Sequence, residues 1–346
     1  MKSKLKLFVL GFVVFEALFA FALLKPKQPE TQQIVNPVQI QPPAPQFPVQ
    51  PKISNPIPGY QNYPAIVTQL DEWKRLSPGL VETGTYGKTS RGQSLYYIRV
   101  TNLYDQTPKK KVLITACIHG NEPLATSTTM GFIGTMLSTY QTDAEVTELI
   151  NTRDIYFVPV VSPDSYPNSR EVDGVDPNRN FPSPSNPNRQ SVAPISAIQQ
   201  FFLQHRFNAV ISGHTFGRVY LIPYGDTTQN CPNYSDFLRI TDQMRSISHY
   251  RVQRCCEMYG QPIFGTEVDW YYRHGAFAIV SEYGTHQRIP SMDDTRTEFN
   301  MTYRGVLTFI RLAPEVQVSV NVLSETSPWW TSRKVQFFSV QQPLLK

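Results

Sequence analysis

A chain of 346 residues, 40% hydrophobic and 12% aromatic, is long enough to bury a large core as one big domain or two. Its net charge of +5 and pI near 8.9 come from scattered basic residues, which argues against a nucleic-acid surface. None of the four cysteines, Cys117, Cys231, Cys255 and Cys256, forms a C-x-x-C pair, which argues against a thiolate zinc site. Cys117 reads as a small core hydrophobe, and in an exported domain Cys231 is a candidate to pair with Cys255 or Cys256.

Residues 1–25 open on Lys2, Lys4 and Lys6 and continue as an almost wholly apolar run from Leu7 to Leu24. A run of that length just spans a bilayer. Glu16 costs about 2.5–3.5 kcal/mol at its centre, which the aliphatic and aromatic neighbours outweigh. The lysines keep the N-terminus cytoplasmic, so the rest of the chain is exported. Ala20-Phe21-Ala22 resembles a signal-peptidase site, but the apolar run continues past it, which favours an uncleaved anchor over a removed signal peptide. Residues 26–58 are dominated by Pro and Gln, a composition that cannot bury a core and prefers extended polyproline geometry. They read as a semi-rigid spacer holding a domain away from a membrane.

From residue 59 to 313 the pattern is globular. Ile66, Leu70 and Trp73 have helical spacing. A turn at 87–92 precedes an alternating strand at 95–100. The apolar run 111–118 is a buried strand, 122–139 a helix, and 155–160 a strand followed by a long polar loop to about 192. A helix at 195–204, a strand at 208–212, a helix at 234–247, a strand at 277–281 and a helix at 298–312 complete the domain. This alternation predicts an α/β fold with a mixed, mostly parallel sheet and helices on both faces. After Pro314, residues 316–322 and 335–338 alternate as two strands, and 314–346 reads as a β-hairpin packed on the main body.

Such sheets bind ligands beyond the carboxyl ends of their strands, and four strand ends here carry notable chemistry. One delivers His119 and Glu122, spaced to reach a single metal ion. Another ends in Ser212-Gly213-His214, and a third in Ser281-Glu282. The fourth leads into a loop carrying Arg170, Asn178 and Arg179. Two histidines, a carboxylate and an open position form a catalytic zinc set. One such ion lowers the pKa of its water toward about 7 and polarises a carbonyl. Glu282 is then the candidate proton shuttle. One arginine would steady an oxyanion, and another would hold a carboxylate in a bidentate fork.

In chain order, these motifs resemble the zinc carboxypeptidase family. His119-Gly120-Asn121-Glu122 matches its HxxE motif. Gly174-Val175-Asp176-Pro177-Asn178-Arg179-Asn180-Phe181 is close to its Gly-Val-Asp-Leu-Asn-Arg-Asn-Phe. Ile211–Phe216 with Leu221–Gly225 matches the third-ligand strand, and Asp269-Trp270 with Phe277–Glu282 matches the segment ending in the catalytic glutamate. The resemblance implies a carboxypeptidase-like fold with one Zn2+ held by His119, Glu122 and His214. It further implies that Arg170 polarises the scissile carbonyl, that Asn178 and Arg179 bind the terminal carboxylate, and that Glu282 is the general base and acid. The mobile substrate-binding tyrosine falls on Tyr259, and the residue at the bottom of the side-chain pocket on Val268. An apolar Val268 argues against C-terminal Lys or Arg, although the adjacent Glu267 weakens that argument. Departures include Ser162 and Ser165 in place of Asn and Gly, Pro177 in place of Leu, and Phe216 in place of Tyr.

The resulting expectation is a zinc-dependent carboxypeptidase that hydrolyses the C-terminal peptide bond. It lies in the cell envelope, single-pass or secreted, with its catalytic domain outside the cytoplasm and periplasmic in a Gram-negative cell. Its partners would be a peptide or muropeptide with a free carboxylate and a membrane at the N-terminal segment, with no nucleic acid. The alternatives are a murein-peptide amidase or carboxypeptidase acting on peptidoglycan stem peptides, an N-acyl amino-acid deacylase, and a non-catalytic envelope-binding module. Intact ligands and Glu282 disfavour the last.

Overall fold

The computed structural model describes residues 47–319. The apolar segment 1–25, the spacer up to residue 46 and the candidate strand at 335–338 lie outside them. Among the described residues no helix is long and apolar enough to cross a membrane. Residues 47–58, assigned to the spacer by composition, lie against the domain. Pro48 and Pro51 are buried, the Gln50 amide donates to the Ser138 carbonyl at 2.9 Å, and the Gln141 amide donates to the Pro48 carbonyl at 2.8 Å. Polyproline backbone has no internal hydrogen bonds, so its carbonyls are free to accept from a neighbouring side chain.

Helix α1 (Tyr63–Leu76) starts where the Asn62 side chain accepts from the Ala65 amide, and it buries Ile66, Leu70 and Trp73 as their spacing predicts. A hairpin follows, β1 (Val81–Lys88) and β2 (Ser94–Val100), turning at 89–93. Then come β3 (Lys110–Ala116), α2 (Pro123–Thr139), α3 (Ala144–Thr152, capped by Asp143) and β4 (Arg153–Val158). After a long loop lie α4 (Ala193–His205), β5 (Ala209–Thr215) and β6 (Val219–Ile222). The remainder is α5 (Tyr234–Ser248), β7 (Arg251–Arg254), α6 (Cys255–Tyr259), α7 (Glu267–Arg273), β8 (Phe277–Tyr283) and α8 (Met292–Leu312).

The eight strands form one sheet in the order β1-β2-β4-β3-β5-β8-β6-β7. Its centre, β4-β3-β5-β8, is parallel. β1 and β2 continue it antiparallel on one side, and β6 pairs antiparallel to β8 on the other. Parallel strands are covered on both faces and read as continuous apolar runs, and every residue of β5 and β8 is buried. Helix α2 is buried over most of its circumference, with the hydroxyl residues Thr126, Ser127, Thr128 and Thr129 enclosed along with the apolar ones. It packs with α3 and α5 around or beside α8, while α1 and α4 lie on β1.

Two expectations change. All four cysteines are buried and free, so the Cys231 bridge to Cys255 or Cys256 is not formed. The strand expected at 316–322 does not form over its described part, 316–319. There the Asn233 side chain takes the place of a partner strand, donating to the Gln317 carbonyl and accepting from the Ser319 amide.

Candidate active site and metal centre

Three parallel strands end side by side at one edge of the sheet. β3 leaves the sheet through Cys117, whose φ of +50° turns the chain sharply so that His119 and Glu122 follow at once. The turn is held from the next strand end: the Ser162 amide donates to the Cys117 carbonyl and the Ser162 hydroxyl to the Ile118 carbonyl at 2.6 Å. Ser162 thus does local structural work where the family pattern has Asn. Gly120 is required by close approach, since a Cβ there would stand 2.4 Å from the Ser165 backbone. β5 contributes His214 and β8 contributes Glu282, paired in register.

His119, Glu122 and His214 are all buried, and one ligand atom from each lies within 4.8 Å of the others. Glu122 Oε1 is 3.0 Å from His119 Nδ1, and Oε2 is 3.0 Å from His214 Nδ1. The far imidazole nitrogens are each held by a carboxylate, Asp176 Oδ1 at 3.0 Å for His119 Nε2 and Glu267 Oε1 at 2.7 Å for His214 Nε2. Both rings therefore offer Nδ1 to a common point. Burial opposes ionisation of Glu122, but the two imidazoles outweigh it and hold the carboxyl down to about 2. Burial likewise opposes charge on His214, but Glu122 and Glu267 on either side raise its pKa well above the ordinary value. The pocket is built around positive charge, and two imidazole nitrogens with a carboxylate suit a zinc ion.

The remaining candidates surround this point. The Arg170 guanidinium donates to Asp176 Oδ2 through Nε and Nη2, at 3.2 and 2.8 Å, and places Nη1 3.8 Å from Glu122. Burial works against ionisation of Asp176, yet His119 and Arg170 hold its carboxyl well below the usual range. Asn178 accepts from the Glu267 amide through Oδ1 at 2.8 Å. The Arg179 guanidinium donates to the Asn178 carbonyl at 2.7 Å and lies over the Tyr259 ring, 5.1 Å from its centroid. Burial pushes the Glu282 carboxyl up to about 7, with Glu122 adding to that and His214, His119 and Arg170 opposing it.

These residues line one open cleft that holds His119, Glu122, Arg170, Asn178, Arg179, His214, Tyr259 and Glu282 together. Val268 is the exception: it is 1% exposed within the hydrophobic core and does not line the cleft. The inner wall is made instead by Leu221, Cys255, Met258, Ile263, Thr266 and Val280. The segment from Tyr259 to Asp269 docks at Gly265 onto the Arg179–Phe181 backbone and presents Ile263 and Thr266, rather than Val268, to the cleft. Glu267 also does not face the cleft, since its carboxylate is turned to His214. Sequence reading gave no role to Asp176, Arg288 or Phe216, and weighed Glu267 only as a neighbour of Val268; Arg288 and Phe216 line the cleft together, with the guanidinium 5.5 Å from the ring centroid. The signal for Asp176 lay inside the Gly-Val-Asp-Pro-Asn-Arg motif, whereas Glu267 and Arg288 carry no local signature.

A mostly parallel sheet with two histidines, a glutamate and a second glutamate at its carboxyl edge defines a metallohydrolase-type centre. The family model for zinc carboxypeptidases matches residues 66–309, and the chain belongs to that family. Among curated relatives it is similar to carboxypeptidase A2 of Rattus norvegicus, 24% identical over 257 residues, covering 62% of this chain and 60% of that protein. It is also similar to a zinc carboxypeptidase of Saccharothrix mutabilis subsp. capreolus, 25% identical, covering 61% of this chain and 58% of that one. The chain thus spans about 60% of the length of these relatives. Among solved structures, the fold is similar to thrombin activatable fibrinolysis inhibitor, with TM-score 0.68, 17% identity, and coverage of 74% of this chain and 75% of that one. It is likewise similar to carboxypeptidase A from Helicoverpa armigera, with TM-score 0.65, 20% identity, and 74% of each chain covered.

Proposed function

We propose that the protein is a zinc-dependent carboxypeptidase that removes the last residue from peptides with a free C-terminal carboxylate, and that His119, Glu122 and His214 hold one zinc ion. The observation that carries this reading is the state of Arg179. It is half-buried in the cleft and, among the described residues, has no acidic partner. A guanidinium so placed is matched by a bidentate carboxylate. Because Asn178 Oδ1 is taken by the Glu267 amide, its Nδ2 remains as a donor to the same anion.

With the chain end gripped there, the scissile carbonyl comes to lie between the ligand set and Arg170, whose Nη1 supports the oxyanion. A zinc ion at this site supplies Lewis acidity and a lowered water pKa. Glu282 takes one proton from the attacking water and delivers it to the departing amine nitrogen as the C–N bond breaks. Leu221, Met258, Ile263 and Val280 make the inner wall apolar. Behind Gly225, the buried carboxylates Asp226 and Asp269 are engaged by Arg273 and by the amides of Gly225 and Asp226. Neither Asp226 nor Asp269 lines the cleft, and among the described residues its only acids are Glu122 and Glu282, so no acid is left there for a cationic side chain and the preferred terminal residue is apolar.

The test is a panel of C-terminally free peptides, their amidated forms and purified muropeptides, each with and without chelator. Expected are metal-dependent release of C-terminal Leu or Phe, weak release of Lys or Arg, and loss of cleavage on amidation. Undiminished cleavage of amidated peptides would remove the carboxylate grip, and release confined to muropeptides would redirect the substrate to the cell wall. A purified protein that takes up no zinc would remove the enzyme reading. We also infer an envelope location, from the lysine-flanked apolar run at 1–25. Fractionation that finds the full chain in the cytoplasm would refute it.

A further inference from the structure

We propose that Glu267 is a positioning residue that sets how tightly the centre retains its metal. The inference rests on the zinc reading of the site but not on the identity of the substrate. Each of the two imidazoles has a carboxylate behind it, and the two carboxylates differ. Asp176 is partly exposed and shares its charge with Arg170. Glu267 is 1% exposed, meets His214 Nε2 at 2.7 Å, and has no arginine or lysine within ion-pair distance among the described residues. The backbone pins it from the other side, where its amide donates to Asn178 Oδ1.

A carboxylate that accepts from Nε2–H decides which ring nitrogen carries the proton, and so leaves the Nδ1 lone pair for a metal. It also fixes the rotation of the ring. It adds a full negative charge one imidazole away from the ion, in an interior where charges are poorly screened. Asp176 contributes less of this field, because Arg170 offsets it. Glu267 is therefore the dominant unshared charge behind the ligand set, although it touches neither substrate nor metal.

Two variants separate its contributions. In Glu267→Gln the side-chain carbonyl still accepts from His214 Nε2–H, so orientation is kept and charge is lost. Glu267→Ala loses both and leaves Nε2 without a partner. Zinc dissociation constants of the full chain would be measured by competition with a chromophoric chelator, and melting midpoints taken metal-free and zinc-loaded. The expected result is a zinc Kd raised about tenfold by Gln and about 100-fold by Ala. The metal-free midpoint of the Gln variant falls less than the zinc-loaded one, so the zinc-induced increment shrinks. A cobalt-substituted form should show an altered visible band in both variants.

Wild-type zinc Kd in the Gln variant overturns the proposal, as does a metal-free midpoint that falls as far as the loaded one. If the Ala variant does not fold, the Gln variant decides alone. A wild type that binds zinc but cleaves no peptide refutes the proposed function and leaves this result standing, whereas a wild type that binds no zinc removes both.

Discussion

His214 on β5 and Glu282 on β8 stand directly opposite each other in parallel register, a proposed metal ligand beside the proposed proton-transfer group across a single interstrand spacing. Parallel pairing places equivalent residues of neighbouring strands at the same height, so two strands that end together present their last side chains as a pair. The pairing is locked on both sides of this point by Gly213 with Ser281 and by Thr215 with Tyr283. Glu282→Gln should leave this register and the zinc content intact and lower kcat by about 10²–10⁴-fold. Steady-state kinetics with parallel metal analysis checks it. Wild-type kcat in a zinc-loaded variant would show that another group moves the proton.

Arg179 should act through binding more than through chemistry. Its guanidinium is placed by the Asn178 carbonyl and the Tyr259 ring, away from the ligand set. A hydrogen bond to a charged group contributes about 1.5–3 kcal/mol, so Arg179→Ala should lower kcat/KM by about 10–100-fold, chiefly by raising KM. The variant should also stop distinguishing free from amidated peptides, because the discriminating partner is gone. An unchanged KM would place the chain-end contact elsewhere.

Much of this centre was legible because strand ends are conspicuous in sequence. An apolar run that stops at His119, His214 or Glu282 marks a buried strand that delivers a polar group to the sheet edge. The long regular elements were legible too, since α1, α4, α5 and α8 repeat apolar residues at helical spacing and the four central parallel strands read as near-continuous apolar runs. What escaped was β1, whose run is interrupted by Gly84 and Gly87, the nine-residue α3, and elements that are shorter or polar. β7 (Arg-Val-Gln-Arg) has little apolar signal, β6 is only four residues, and α6 and α7 are held by tertiary packing that five or seven residues cannot announce. Val268 was displaced from the expected floor because the preceding segment carries Ile263 and Thr266 into the cleft, a matter of loop path rather than residue type. Glu267 was legible only as a charge of uncertain direction, since neighbours in sequence give no sign of which way a side chain turns.

Gly265 is where that segment meets the carboxylate grip, and it tests the loop path. Its φ is +75°, and a Cβ would lie 2.6 Å from the Arg179 carbonyl. Its own carbonyl accepts from the Phe181 amide. Gly265→Ala meets both backbone strain and a clash that backbone atoms cannot relieve, so a stability loss of about 1–3 kcal/mol is expected. A raised KM should accompany it, as Arg179 is pushed out of place. Denaturant melts and kinetics on the same preparation read the two effects. A variant with wild-type stability and wild-type KM would mean that the loop takes another course.

The pH profile tests Glu282 independently of any substitution. A general base must be ionised to accept a proton, so kcat/KM falls as pH drops through its pKa. Burial pushes this carboxyl up to about 7 in the protein alone. A dication at the neighbouring ligands favours the charged carboxylate and pulls the value down. Glu122, held down to about 2 by the two imidazoles in the protein alone, would be kept ionised by the zinc when loaded, so it adds no step over this range. The zinc-loaded enzyme should therefore show one acidic limb with its midpoint at or below about 7, and activity should be retained above it until other groups titrate. In Glu282→Gln the residual activity should lose that limb while zinc remains bound. A limb that persists unchanged in the variant would assign it to a different group, and an acidic midpoint well above 7 would mean that the metal does not share the field of this carboxylate.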